Sequence, residues 1–124
     1  MRPDSQPEIA LPINPVDDQL VELAVEIFKM LADATRVRIV LALGDGELSV
    51  NTLADVVGKS PAAVSQHLAK LRLAGLVTTR HEGNRVFYRL ANEHAQQLAT
   101  GAVFQAEHSV DDQPQHHRMI DEQQ

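Results

Sequence analysis

The spacing of apolar residues changes at Gly75, and this change limits the folds open to the chain more than any other feature. Before Gly75 the apolar side chains recur every three or four positions, which is typical of helices with one buried face. After Gly75 they alternate along 76–80 and 85–90, which predicts two strands joined by a turn at 81–84. The sequence therefore predicts a mainly α-helical chain of the α+β class, with one small β-hairpin.

Capping residues divide the rest of the chain into five helices. A serine, aspartate or asparagine before an apolar stretch can accept hydrogen bonds from the free N–H groups of a helix start, and Pro61 suits the first helical position. The predicted N-caps are Asp33, Ser49, Ser60 and Asn92, and the predicted helices cover 17–31, 33–43, 50–57, 60–74 and 93–108. The second helix is apolar on most sides and should be central. In the third, Leu53, Val56 and Val57 should face the core.

Both ends of the chain are predicted to be flexible. Residues 1–15 hold four of the six prolines and show no apolar period, and residues 109–124 form a polar tail, so the domain is expected over 16–108. The chain of 124 residues has no cysteine, which excludes disulfides and thiol chemistry. No signal-peptide pattern and no bilayer-length apolar run occurs, so we expect a cytoplasmic protein without a membrane segment.

Charge is unevenly distributed along the chain. The formal net charge is -6, yet residues 59–89 carry six basic side chains and one acidic side chain, a net charge of +5. We call this stretch the basic segment. A local positive field of this kind attracts a polyanion at close range. The alternative is a basic surface that only faces solvent.

The order of the predicted elements is that of a winged helix-turn-helix, which binds double-stranded DNA. The helix that begins at Ser60 can enter the major groove, where Ser65 and Gln66 would meet base edges. Lys70, Arg72 and the helix start would hold phosphates, and the hairpin would reach the minor groove or the backbone. The predicted DNA contacts are Ser60, Ser65, Gln66, His67, Lys70, Arg72, Arg80 and Arg85. For His67 the alternative is packing at the domain edge, and for Ser65 and Gln66 it is ordinary exposed helix surface.

Histidines gather towards the end of the chain. Four of the six lie at or beyond residue 94, near several carboxylates, and imidazole with carboxylate suits Zn(II), Ni(II) or Co(II). His94 and His108 fall within about 40° of one helix face but ~21 Å apart, so they cannot share an ion within one chain. They can share one if the helix packs antiparallel against its own copy, with Gly101 at the crossing. We therefore predict a two-fold homodimer with metal sites between the protomers.

Two stretches carry a family resemblance: LADATRVRIVLAL at 31–43, and LSVNTLADVVGKSPAAVSQHLAKLRLAGLVTTRHEGNRVFYRL at 48–90. Together they resemble the ArsR/SmtB family of bacterial metal-responsive repressors. The resemblance implies a winged-helix homodimer, joined through its N- and C-terminal helices, that blocks a promoter until an effector binds. One site of the family uses cysteines in a box that here, at 47–52, reads Glu-Leu-Ser-Val-Asn-Thr. Without thiolates, the chain should sense soft ions such as Cd(II) or As(III) poorly.

The stretches FKMLADATRV and AVFQAEH, at 28–37 and 102–108, resemble a nickel/cobalt-responsive member of the family. Two ligands of the family's usual zinc arrangement are replaced by Asn92 and Gln105. The ligand set that the resemblance implies is His94, Glu107, His108, His116 and His117. Five N/O donors suit octahedral Ni(II) or Co(II) better than tetrahedral Zn(II). The expected function is an apo repressor that Ni(II) or Co(II) releases from the operator of a metal-efflux gene.

Other functions remain open at this point. A Zn(II)-responsive repressor and a repressor with a non-metal effector fit the same fold. A metal-dependent hydrolase would need a pocket and a general base, and no HExxH motif occurs. A winged-helix module for protein contacts alone would not need the polar outer face at Ser65 and Gln66. We therefore expect a regulator and not an enzyme, with no organic cofactor.

Overall fold

Five helices and a three-stranded antiparallel sheet make up residues 17–111, the part of the chain that the computed structural model describes. The elements are α1 (Asp18–Leu31), α2 (Ala34–Leu43), β1 (Leu48–Ser49), α3 (Val50–Val57), α4 (Pro61–Leu73), β2 (Val77–Glu82), β3 (Arg85–Leu90) and α5 (His94–Asp111). The mainly α prediction with one hairpin is confirmed. The predicted arm at 1–15 and residues 112–124 of the predicted tail lie outside the described residues. No helix within 17–111 is both long and apolar enough to cross a membrane.

Side-chain caps begin the first four helices. Each capping oxygen accepts a hydrogen bond from the backbone N–H three residues further on, at 3.0–3.3 Å. The caps are Asp17, Asp33, Ser49 and Ser60. At α5, the Oδ1 atom of Asn92 accepts from the N–H of His94 at 2.9 Å. These starts follow the sequence closely because a cap depends only on residues within one turn.

The core is centred on α2. Ile39 and Val40 are fully buried there, and α2 packs on α1, α3, α4, α5 and β3. Leu53 and Val57 of α3 face this core as predicted, but Val56 is 59% exposed, so that part of the prediction was wrong. Val56 lies about 100° from the middle of the buried stripe on an ideal helix, too far round to reach the core.

The sheet has the strand order β1-β3-β2, and it differs from the prediction in two ways. The two-residue strand β1 was not predicted; it pairs Leu48 with Tyr88. Strand β2 also runs further than expected, through the cross-strand pair of Glu82 with Arg85. The turn is therefore two residues long, not the predicted four. Gly83 has a φ of 61°, which a tight hairpin turn favours and which glycine adopts without strain.

Helix α5 packs on α2 through its buried Ala95 and Ala99. It continues to Asp111, three residues beyond the predicted end at 108. The hydroxyl of Ser109 donates to the carbonyl of Gln105 at 3.0 Å, and the sequence has no glycine or proline between Gly101 and Pro114.

Large apolar side chains remain exposed on α1 and α5. On α1 only Leu31 is buried, while Leu20 and Phe28 are 50% and 58% exposed. On α5, Leu98 and Phe104 are 40% and 64% exposed. The apolar face predicted for α1 is therefore formed, but residues 17–111 cover little of it.

Candidate nucleic-acid interface and metal-ligand residues

Helix α4 has two distinct faces. Val64, Leu68 and Leu71 are fully buried against the core. The predicted base-reading residues, Ser65 and Gln66, lie on the outer face and are exposed. A helix anchored on one side and polar on the other has the form needed to enter a major groove.

Both ends of α4 suit phosphate contacts. At the start, the Oγ atom of Ser60 accepts from Ala63, and Pro61 has no N–H. The amide of Ala62 therefore has no acceptor within the helix and can donate to an anion. In the last turn Lys70 and Arg72 are exposed. These cations come from the basic segment identified in the sequence.

His67 points away from this outer face. The Nε atom of Arg36 donates to its Nδ1 atom at 3.1 Å, and the Oδ1 atom of Asp33 lies 4.0 Å from the same nitrogen. The side chain is 22% exposed. Of the two roles considered for His67, this placement favours packing at the domain edge over a phosphate contact.

The hairpin of β2 and β3, the wing, carries its cations around Phe87. The guanidinium carbons of Arg80 and Arg85 each lie 4.9 Å from the ring centroid, a cation–π distance. Arg85 is exposed at the two-residue turn. It is therefore placed to reach a neighbouring duplex.

Arg80 is also paired with carboxylates, which the sequence did not predict. Its Nε atom donates to Glu47 at 2.9 Å and its Nη1 atom to Glu82 at 3.1 Å. The hydrogen bond from Arg80 holds the pKa of Glu47 below its usual value, and the pKa of Arg80 is raised. Glu47 therefore offsets part of the positive charge that Arg80 would present to DNA.

A cleft of about 390 Å³ lies between the start of α3 and the wing. Its lining includes Ser49, Asn51, Thr52 and Arg85. These residues include part of the 47–52 box singled out in the sequence. Hydroxyl, amide and guanidinium groups are poor ligands for soft metal ions.

The predicted metal ligands within the described residues lie at the two ends of α5. His94 is its first residue, Glu107 and His108 lie near its last turn, and all three are exposed. No three His, Asp or Glu side chains within 17–111 stand close enough to form one metal site. His116 and His117 lie outside the described residues. N/O donors of this kind fit Ni(II), Co(II) or Zn(II), but one copy of the described chain does not bring them together.

Gly101, halfway along α5, is not required by packing among residues 17–111. A Cβ atom added there would meet nothing within 4 Å. A glycine inside a helix lowers its stability by about 0.5–1 kcal/mol relative to alanine, so its presence needs another reason. Close approach of a second backbone is such a reason.

Comparisons with known proteins agree with this geometry. The model of the family described as "Bacterial regulatory protein, arsR family" matches residues 33–79, which include α2, α3 and α4. The HTH-type transcriptional regulator KmtR of Mycobacterium tuberculosis is 57% identical over 105 residues, covering 85% of this chain and 81% of that protein. The HTH-type transcriptional repressor SmtB of the same species is 36% identical over 92 residues, covering 74% and 68%.

A solved structure with the same fold is the homodimeric winged helix-turn-helix DNA-binding domain of Mb0332, a possible ArsR-family regulator from Mycobacterium bovis. It matches with a TM-score of 0.66 and 28% identity, and the match covers 79% of this chain and 91% of the other. The predicted winged helix-turn-helix is thereby confirmed.

Proposed function

Because this chain belongs to the arsR family of bacterial regulatory proteins, we propose that it is a metal-responsive repressor of transcription. Its family makes it a DNA-binding regulator and not an enzyme. In the proposal, the metal-free homodimer binds operator DNA, and binding of Ni(II) or Co(II) lowers that affinity. The observation that carries it is the position of His94 and His108, exposed at opposite ends of a helix whose large apolar side chains Leu98, Val103 and Phe104 are also exposed.

DNA binding uses the outer face of α4 and the wing. Ser65 and Gln66 read base edges in the major groove, while Lys70 and Arg72 neutralise phosphates and set the register. Arg85 extends the contact beyond the recognition helix α4. Two copies of this surface match two half-sites of an inverted repeat.

Dimerisation covers the exposed faces of α1 and α5. Phe28 and Phe104 are more than half exposed in one chain, and a domain of this size gains stability by burying such surface against a second copy. Two α5 helices crossing antiparallel at Gly101 bring His94 of one protomer towards the same end as His108 of the other. The two-fold axis makes two equivalent sites.

The donors around each site are imidazole and carboxylate. Glu107, His116 and His117 add to His94 and His108 in the set that the family resemblance implies. Glu107 lies about 140° from His94 around the axis of α5, inside a helix that continues to Asp111. Its carboxylate therefore approaches a shared site from beside the helix face that carries His94. Such N/O donors favour Ni(II) and Co(II) over soft ions.

The His94 end of α5 packs directly on the DNA-binding core of the protein. Ala95, next to His94, is buried against the core, and α5 packs on α2, which packs on α4. A change in how the two α5 helices meet therefore moves the two recognition helices relative to each other. We expect a coupling free energy of ~1–3 kcal/mol, which is about 5- to 150-fold in operator affinity. The regulated gene in this proposal encodes metal efflux, and the protein acts in the bacterial cytoplasm.

The test is a titration of operator binding with metal. A duplex selected by the metal-free protein from a random-sequence pool serves as operator, and Ni(II), Co(II) and Zn(II) are added separately. Ni(II) and Co(II) should weaken binding at least about 5-fold. His94→Ala should abolish the response, whereas Asp55→Ala, on the exposed side of α3, should keep it. A response to Zn(II) alone would support the zinc-sensor alternative, and no response to any of the three would support a non-metal effector.

A further inference from the structure

Arg36 joins three helices through one guanidinium group. From the first turn of α2, its Nη1 atom donates to the carbonyl oxygen of Met30 in α1 at 2.9 Å. Its Nε atom donates to the Nδ1 atom of His67 in α4 at 3.1 Å. We infer that Arg36 and His67 are positioning residues that fix the recognition helix relative to α1, and that His67 does not itself contact DNA. This inference rests on the proposed DNA-binding function.

The imidazole of His67 is the acceptor in this hydrogen bond, because the guanidinium group of arginine carries only donors. Asp33 holds the backbone of Arg36 in place, because its Oδ1 atom accepts a hydrogen bond from the N–H of Arg36 at 3.0 Å. The guanidinium is thus anchored in α2 while it donates to two other helices.

A directional contact is needed at this place in α4. The buried stripe of Val64, Leu68 and Leu71 decides which face of the helix is inward, but apolar packing is non-directional and sets the exact rotation about the helix axis less sharply than a hydrogen bond does. His67 lies directly between Gln66, on the outer face, and Leu68, in the core. A hydrogen bond at His67 therefore sets the direction in which Gln66 points.

The link to α1 extends this effect to the dimer. Met30 precedes Leu31, the residue of α1 that is buried in the core, and the rest of α1 carries the exposed apolar side chains of the proposed interface. Arg36 therefore links the orientation of α4 to that of α1, the helix that meets the second protomer in the proposed dimer. The spacing of the two recognition helices then depends on this hydrogen bond.

The experiment measures operator affinity by fluorescence anisotropy over a series of salt concentrations, using a duplex selected by the wild-type protein. The variants are His67→Ala, Arg36→Lys, the double variant, and His67→Gln, whose amide oxygen can accept from Arg36. Lys70→Ala is the matched control for loss of a phosphate contact. Thermal unfolding of each variant shows that it is folded at the assay temperature.

We expect His67→Ala and Arg36→Lys each to weaken operator binding by about 5- to 10-fold. The double variant should bind the operator as well as the single variant with the lower affinity, because both changes remove the same hydrogen bond. The salt dependence should stay at the wild-type slope, whereas Lys70→Ala should reduce that slope by ~0.9. His67→Gln should recover most of the affinity. If Arg36→Lys fails to fold, the comparison of His67→Ala with His67→Gln and Lys70→Ala carries the test.

Two results would overturn the inference alone: a reduced salt slope in His67→Ala, which means a phosphate contact, or losses in the single variants that simply add. If the wild-type protein selects no duplex and shows no salt-dependent binding, the proposed function itself fails, and the inference fails with it.

Discussion

Replacement of Gly101 by leucine should act in opposite directions on the single chain and on the dimer. In the described part of one chain a Cβ at position 101 meets nothing within 4 Å, so the larger side chain faces open space there. Leucine also favours the helix over glycine by ~0.5–1 kcal/mol. The isolated protomer should therefore become slightly more stable.

The dimer should be weakened because two leucines would meet at the crossing of the α5 helices. Overpacking one site costs about 1–3 kcal/mol, so two copies cost about 2–6 kcal/mol of association free energy. At about 1.4 kcal/mol for each factor of ten, the dissociation constant of the dimer should rise roughly 30-fold or more.

Sedimentation velocity over a range of protein concentrations measures this constant. Unfolding by urea at several protein concentrations separates protomer stability from dimer stability, since only the latter depends on concentration. The control is Asp55→Leu, an equally large apolar addition on the exposed side of α3, which should leave dimerisation unchanged. A Gly101→Leu dimer as tight as the wild type would refute the antiparallel crossing at α5.

Two further predictions concern charged side chains near the DNA-binding surface. Glu47→Gln should raise operator affinity about 2- to 5-fold at low salt, because Arg80 loses a paired carboxylate and becomes available to phosphate. An unchanged affinity would mean that Arg80 does not contact DNA. Asp33→Ala should lower the unfolding free energy by ~1 kcal/mol through loss of the α2 cap. The hydrogen bond from the backbone of Arg36 lowers the folded-state pKa of Asp33, so its ionised form stabilises the fold above about pH 4, and this contribution is lost as the pH falls through the lowered value. The stability difference between wild type and Asp33→Asn, measured by urea unfolding, should therefore be largest near neutral pH and vanish in acid; a difference that grows in acid would contradict this assignment.

The sequence predicted best those features that depend on neighbouring residues. The caps at Asp33, Ser49 and Ser60 each act within one helical turn, so their side chains alone indicate where the helices begin. The buried stripe of α4 follows from the helical repeat. The same repeat misplaced Val56, because one apolar residue next to a buried one does not define which side of a short helix meets the core.

Features that depend on distant residues could not be predicted in this way. Strand β1 is two residues long and forms by pairing with β3, where Leu48 meets Tyr88, forty residues away. The contact between Arg80 and Glu47 spans thirty-three residues, and that between Arg36 and His67 spans thirty-one. No local pattern indicates either pair, although each changes the role expected for a predicted DNA contact.

The candidate metal site is a different case. The spacing of His94 and His108 on one helix was readable from the sequence, and the structure places them at the two ends of α5. Their separation of ~21 Å makes a shared ion depend on a second copy of the chain. The sites therefore remain a prediction about the assembled dimer.

Mixing two variants tests the shared site most directly. In His94→Ala and in His108→Ala homodimers, each site lacks one imidazole, so neither protein alone should bind Co(II) as tightly as the wild type. A mixed dimer contains one complete site, made by His108 of one protomer and His94 of the other. An equimolar mixture should therefore recover roughly a quarter of the wild-type sites after subunit exchange, because mixed dimers form about half of the population and each has one of its two sites complete. The Co(II) absorption spectrum counts them. A mixture that binds no more Co(II) than its two components would show that the two histidines do not meet across the dimer.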